Sequence, residues 1–199
     1  MIHGGFWRPT YDLSHASHLC AALAKTGVSV ASLEYRRAGW PATFNDILAG
    51  FKAAVKQTAP VVMGHSAGGH LALRLAGEKL PIRGVVALAP VASLELGYQE
   101  NLGSGAVVDF LGGKPSEIPD VYEDADPVKH SSSIRRVLIH GTNDDVVPIA
   151  NSRAYLEARR QDPGGVRLVE VEGADHFDLI DPSSLAWAVV LANVKQALV

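Results

Sequence analysis

Cysteine is nearly absent: Cys20 is the only one in 199 residues, so no disulfide can form within the chain, and a reducing compartment fits. An excess of charge of one sign is lacking too. Eighteen Lys and Arg face 21 Asp and Glu, a formal net charge of -3. No basic run interleaved with aromatics occurs, so the electrostatic footprint of a nucleic-acid binder is missing. No apolar run approaches the ~20 residues that cross a bilayer. The start, Met1-Ile2-His3-Gly4-Gly5, is not a charged segment followed by an apolar one. A cytoplasmic protein is expected, without nucleic acid or membrane as a partner. The chain also lacks an H-E-x-x-H pattern and paired cysteines, so neither a metal nor another cofactor is expected.

What is present reads as one globular domain over residues 1–199, with 47% hydrophobic and 20% charged residues. Short β-rich runs at Val28–Tyr35, Pro60–His65, Ile82–Ala89, Ile134–His140 and Val166–Glu172 alternate with helical periodicity. The helical segments are Leu13–Thr26, Phe44–Thr58, Ala67–Glu78, Ala150–Arg160 and Leu179–Leu198. Strands such as Gly84–Ala89 are apolar throughout rather than alternating, the pattern of a parallel sheet covered on both faces. An α/β fold with right-handed crossovers follows. Residues 91–133, rich in Gly, Pro, Ser and acids, show no clear periodicity. They are read as a lid or substrate-shaping insertion.

Four stretches carry chemistry. Gly64-His65-Ser66-Ala67-Gly68-Gly69 lies between an apolar strand and a helical run. A serine on such a turn is held clear of the sheet, with flanking glycines letting the backbone pass. His3-Gly4-Gly5-Phe6-Trp7 is a glycine-rich loop whose backbone N–H groups can meet an oxyanion. The expected donors are the N–H groups of Gly5, Phe6 and Ala67. His140 to Pro148 ends a strand with two adjacent carboxylates, Asp144 and Asp145, either of which can orient an imidazole. His176 follows the last strand, giving the order serine, acid, histidine that this kind of site uses. His3 and His140 are expected to brace loops.

Together these stretches resemble the α/β-hydrolase family, within it the branch of kynurenine formamidase (arylformamidase) and related small carboxylesterases. His3 to Trp7 resembles that branch's H-G-G-x-W motif, Gly64 to Gly68 its nucleophile elbow, and Gly173 to His176 its histidine loop. His140 to Pro148 resembles the H-G-x-x-D-x-x-V-P acid loop, which favours Asp144. The resemblance implies an α/β-hydrolase fold, a mostly parallel central sheet with helices on both faces. It also implies a triad of Ser66 as nucleophile, His176 as base and Asp144 as acid. Family members carry about two strands before the oxyanion loop, and here those strands are missing: only Met1 and Ile2 precede His3. A shortened central strand is therefore expected, with Val28–Tyr35 left as an edge.

The implied reaction is two-step acyl transfer on a small ester or aryl formamide. Trp7, Trp40, Tyr98 and Phe110 are the candidate rings for the substrate, each with core packing as its alternative role. The rival function is a non-catalytic hydrolase-fold protein that binds a small ligand. A homodimer stays open.

Overall fold

The computed structural model describes residues 1–55 and 58–199. Its centre is a sheet of four parallel strands, β1 (Val61–His65), β2 (Gly84–Leu88), β3 (Arg135–Gly141) and β4 (Val166–Val171), lying side by side in chain order. These are the four downstream runs expected as strands, with each end within two residues of the expected one.

Apolar strand residues divide between the two faces, as the two-residue period of a strand requires. Val62, Val85, Ala87 and Leu138 join one core cluster. Met63, Val86, Leu88, Val137 and Ile139 join the other. The first face is covered by α2 (Ala42–Ala54), α3 (Ala67–Leu75) and α7 (Ala150–Arg159). The second is covered by α1 (Ser17–Lys25) and α8 (Trp187–Leu198), through Leu19, Leu23, Val190 and Val194. Both faces are buried at β1 and β2, which is why those strands read as nearly continuous apolar runs; the edge strand β4 keeps Arg167 and Glu170 exposed. Among the described residues, no helix is long and apolar enough to cross a membrane.

Four expectations change. Val28–Tyr35 is not a strand. Only Leu33 pairs, through Ile2, which bridges in parallel to Leu33 on one side and Gly64 on the other. A ladder needs a neighbour along its length, and Met1 and Ile2 provide two residues of one. Between residues 28–31 and 61–63 lies a cavity of about 950 Å³, lined among others by Val28, Val30, Val61 and Met63. Residues 91–133 are not irregular. They form α4 (Leu94–Gln99), α5 (Ala106–Leu111) and α6 (Pro119–Ala125), each too short to register a 3.6-residue period, with left-handed Gly103, Gly105 and Gly112 between them. Their Leu94, Val107, Phe110 and Tyr122 enter the first core cluster. The expected helix Leu179–Leu198 is split, with a short turn at Asp178–Ile180 and α8 beginning at Trp187. Pro182 disfavours helical backbone in the residue before it, and Asp181 is extended. The helix expected over Phe44–Thr58 ends at Ala54, and its residues 56–57 lie outside the described ones.

Candidate active site

The turn from β1 to α3 holds Ser66 at φ 55° and ψ −121°, a left-handed conformation a serine adopts only where its surroundings impose it. The flanking glycines are sterically required. A Cβ on Gly64 would lie 2.1 Å from the Gly68 carbonyl oxygen, and one on Gly68 would lie 2.2 Å from that of Ile2. The turn is tied down by Ser66 N–H donating to Leu88 O at 2.8 Å, while Ser66 O accepts from the His70 and Val91 amides. Ser66 is 2% exposed, at the base of the site.

The glycine-rich loop lies directly against it. A Cβ on Gly4 would come within 3.0 Å of Ser66 Cβ, and Gly5 has φ 113°. Phe6 and Trp7 both take positive φ, 51° and 55°, a concentration of strained backbone beside the serine. The loop is anchored by buried His3, which stacks on Tyr35 at 4.4 Å and contacts Glu34 at 3.0 Å, while Tyr35 Oη donates to His3 O. Ala67 opens α3, so its amide has no intrahelical acceptor. The Gly5, Phe6 and Ala67 amides therefore belong to segments converging on Ser66.

On the other side, His176 Nδ1 lies 2.7 Å from Asp144 Oδ2. The ring's Nε2 makes no hydrogen bond to protein groups among the described residues and is free to act. Asp144 Oδ1 accepts from the Val146 and Val147 amides at 2.9 and 2.8 Å, and Oδ2 lies 3.2 Å from His140 Nε2. Burial pushes the Asp144 carboxyl up. The hydrogen bonds from His140, His176 and the Val147 amide outweigh it and hold the group well below the usual carboxylate range. Asp145 is exposed, so of the two adjacent acids only Asp144 touches the imidazole.

His65 closes the arrangement. Its Nε2 lies 3.0 Å from the His176 carbonyl oxygen, to which it donates, and the two rings are 4.5 Å apart. Burial pushes the His65 imidazole well below its ordinary value. A neutral ring with one N–H thus fastens the histidine loop to the elbow.

Of the four candidate substrate rings, Trp7, Phe110 and Trp40 form one group. Trp7 stacks on Phe110 at 4.3 Å, and Trp40 meets Phe110 edge-on at 6.1 Å. Trp7 and Phe110 are core residues, while Trp40 and Tyr98 pack against that core partly buried. Trp40 Nε1 donates to Asp124 at 2.7 Å. His70 lies among these rings, and burial pushes its imidazole down to about 3. The exposed rings near the site are others, Tyr11 and Phe177. Sequence reasoning missed both. Phe177 adjoins His176 and was findable by that adjacency; Tyr11 reaches the site through a fold-back with no local signal.

The parallel sheet, the elbow between β1 and α3 and the loops beyond the strand ends define an α/β-hydrolase fold. A family model described as BD-FAE matches residues 1–158, and the chain belongs to that family. It is 26% identical over 241 residues to "Esterase LipC" of Mycobacterium tuberculosis (strain ATCC 25618 / H37Rv), a match covering 98% of this chain and 58% of that relative. The chain thus spans little more than half of that relative's length. Among solved structures it is similar to a truncated carbohydrate esterase from gut microbiota, with TM-score 0.79, 19% identity, 98% of this chain and 84% of that one. It is also similar to esterase B from Lactobacillus rhamnosis inhibited by a tributyrin phosphonate, with TM-score 0.79, 18% identity, 98% and 73%.

Proposed function

We propose that this protein is a serine carboxylesterase acting on small esters through Ser66, His176 and Asp144. The observation that carries the reading is the hydrogen bond of 2.7 Å between His176 Nδ1 and Asp144 Oδ2, on a ring held against the serine elbow. Asp144 fixes the tautomer that leaves Nε2 bare to receive a proton. Nε2 takes the Ser66 proton as Oγ attacks the ester carbonyl. The oxyanion is met by the Gly5, Phe6 and Ala67 amides. The imidazolium then protonates the departing alcohol, and water enters by the same route to release the acid. The esterase relatives support the ester as substrate class.

Aryl formamides use the same steps and form the second substrate arm of the test. The experiment measures initial rates on a short-chain nitrophenyl ester and on N-formyl-kynurenine, with Ser66→Ala as control. Ester turnover that falls by about 10⁴-fold or more in the variant is expected. Formamide turnover exceeding ester turnover would move the reading to an arylformamidase. The rival, a non-catalytic ligand binder, predicts no labelling of Ser66 by a fluorophosphonate; the esterase reading predicts labelling.

A further inference from the structure

Two of the most exposed large apolar side chains, Tyr11 at 43% and Phe177 at 51%, stand at the edge of this site and belong to neither core cluster. Tyr11 lies on the oxyanion loop: a Cβ on Gly5 would come 2.5 Å from Tyr11 Cβ and 2.7 Å from its ring carbons. Phe177 follows His176 directly, the two rings 5.3 Å apart and perpendicular. Half-buried His15 joins them. Its ring is 5.4 Å from Tyr11, 6.3 Å from Phe177 and 5.6 Å from His65. Burial pushes the His15 imidazole below its ordinary value, favouring a neutral ring. The groups that lower it further are His3, His176 and His18.

Position decides what this rim is for. In acyl transfer the histidine gives its proton to the leaving-group oxygen, so the leaving group must pass beside His176 Nε2. The exposed rings border this histidine: Phe177 packs on its ring, and His15 stands against His65, which is bonded to the His176 carbonyl. The Trp7 and Phe110 stack is instead buried in the first core cluster. Neutral rings with exposed faces and edges favour stacked or edge-on contact with another flat ring.

We propose that Tyr11, His15 and Phe177 form a leaving-group subsite for aryl-bearing alcohols, a specificity that rests on the esterase reading above. The subsite selects esters whose alcohol carries a flat ring one carbon from the oxygen, over saturated alcohols of similar size. These rings touch the departing alcohol and leave the acyl part to the Trp7 side.

The test compares benzyl acetate with cyclohexylmethyl acetate and butyl acetate, three alkoxide leaving groups of similar basicity. The wild-type protein should prefer benzyl acetate in kcat/KM. Phe177→Ala and Tyr11→Ala should each reduce that preference about three- to tenfold, mainly through KM, because the proton donor is untouched. Phe177→Tyr should restore it and Phe177→Leu should not. Leu185→Ala, an exposed apolar residue elsewhere, should leave the preference unchanged. Binding is read separately on Ser66→Ala by saturation-transfer NMR with benzyl alcohol, a signal that adding Phe177→Ala should remove. Equal losses on all three acetates would overturn the subsite. So would a loss confined to an acetylated xyloside, which would make the rim a sugar platform. Failure of the wild-type protein to cleave any acetate would instead overturn the esterase reading, while the NMR arm still decides the subsite.

Discussion

Asp144 is the residue on which the geometry of the imidazole depends. It accepts from two amides and faces both His176 and His140. Asp144→Asn keeps the shape but can present an N–H where His176 needs an acceptor, so kcat should fall by about 10⁴-fold with the fold intact, measured by steady-state rates and circular dichroism. Gly64 is limiting in another way. Its missing side chain is filled by the Gly68 carbonyl, backbone that cannot step aside. Gly64→Ala should therefore cost more than ~4 kcal/mol and show as loss of soluble protein or a collapse in melting temperature.

Much of this was legible at the scale of elements, and the failures share a cause. The strands β1 and β2 were readable because both are buried on two faces and nearly apolar throughout, whereas β4, with exposed Arg167 and Glu170, was readable from its alternating Val and Leu. The serine, acid and histidine stretches were readable because each sits where a strand ends, a position marked by Gly, Asp and Pro. Val28–Tyr35 has the same β-rich composition, yet pairing depends on a neighbour from elsewhere in the chain, which local composition cannot show. The helices of residues 91–133 were missed because six or seven residues between glycine turns carry no measurable period. The exposed aromatic rim was missed because it assembles residue 11 with residue 177. One element-level contact was also invisible: Arg136, fully buried on β3, pairs with Asp162 beyond α7 at 2.7 Å and reaches Tyr155 Oη at 3.1 Å. Asp162→Ala strands that guanidinium in the interior. Chemical denaturation should report a loss of about 3–5 kcal/mol.

For the whole molecule, the sheet is unequally secured. Val86 and Leu138 lie on strands paired on both sides. Met63 O accepts from Ile2 N–H, so its own N–H points to the same side, into the open cavity beside residues 28–31. Hydrogen exchange should be faster at Met63 than at Val86 or Leu138; equal protection would show that the cavity is closed in solution. Acid should also act globally. Burial pushes the Asp162 carboxyl up, but Arg136, Ser131 and Ser132 outweigh it and hold it below its ordinary value, as the partners of Asp144 do there. A depressed folded value means the stabilisation is complete above the ordinary carboxylate value near 4 and is lost as pH falls below it. Melting temperature should accordingly drop on acidification through that range.

The stacking of Trp7 on Phe110, one residue past Phe6 of the oxyanion loop, has an optical consequence. Of the three tryptophans, Trp7 and Trp40 sit together on one side of the sheet, while Trp187 packs on the other. Replacing Trp187 with Phe leaves an emission spectrum that comes only from the side holding α5 and the oxyanion loop. The molecule then carries its own fluorescent gauge, in which movement of α5 away from the loop registers as a red shift without any label attached.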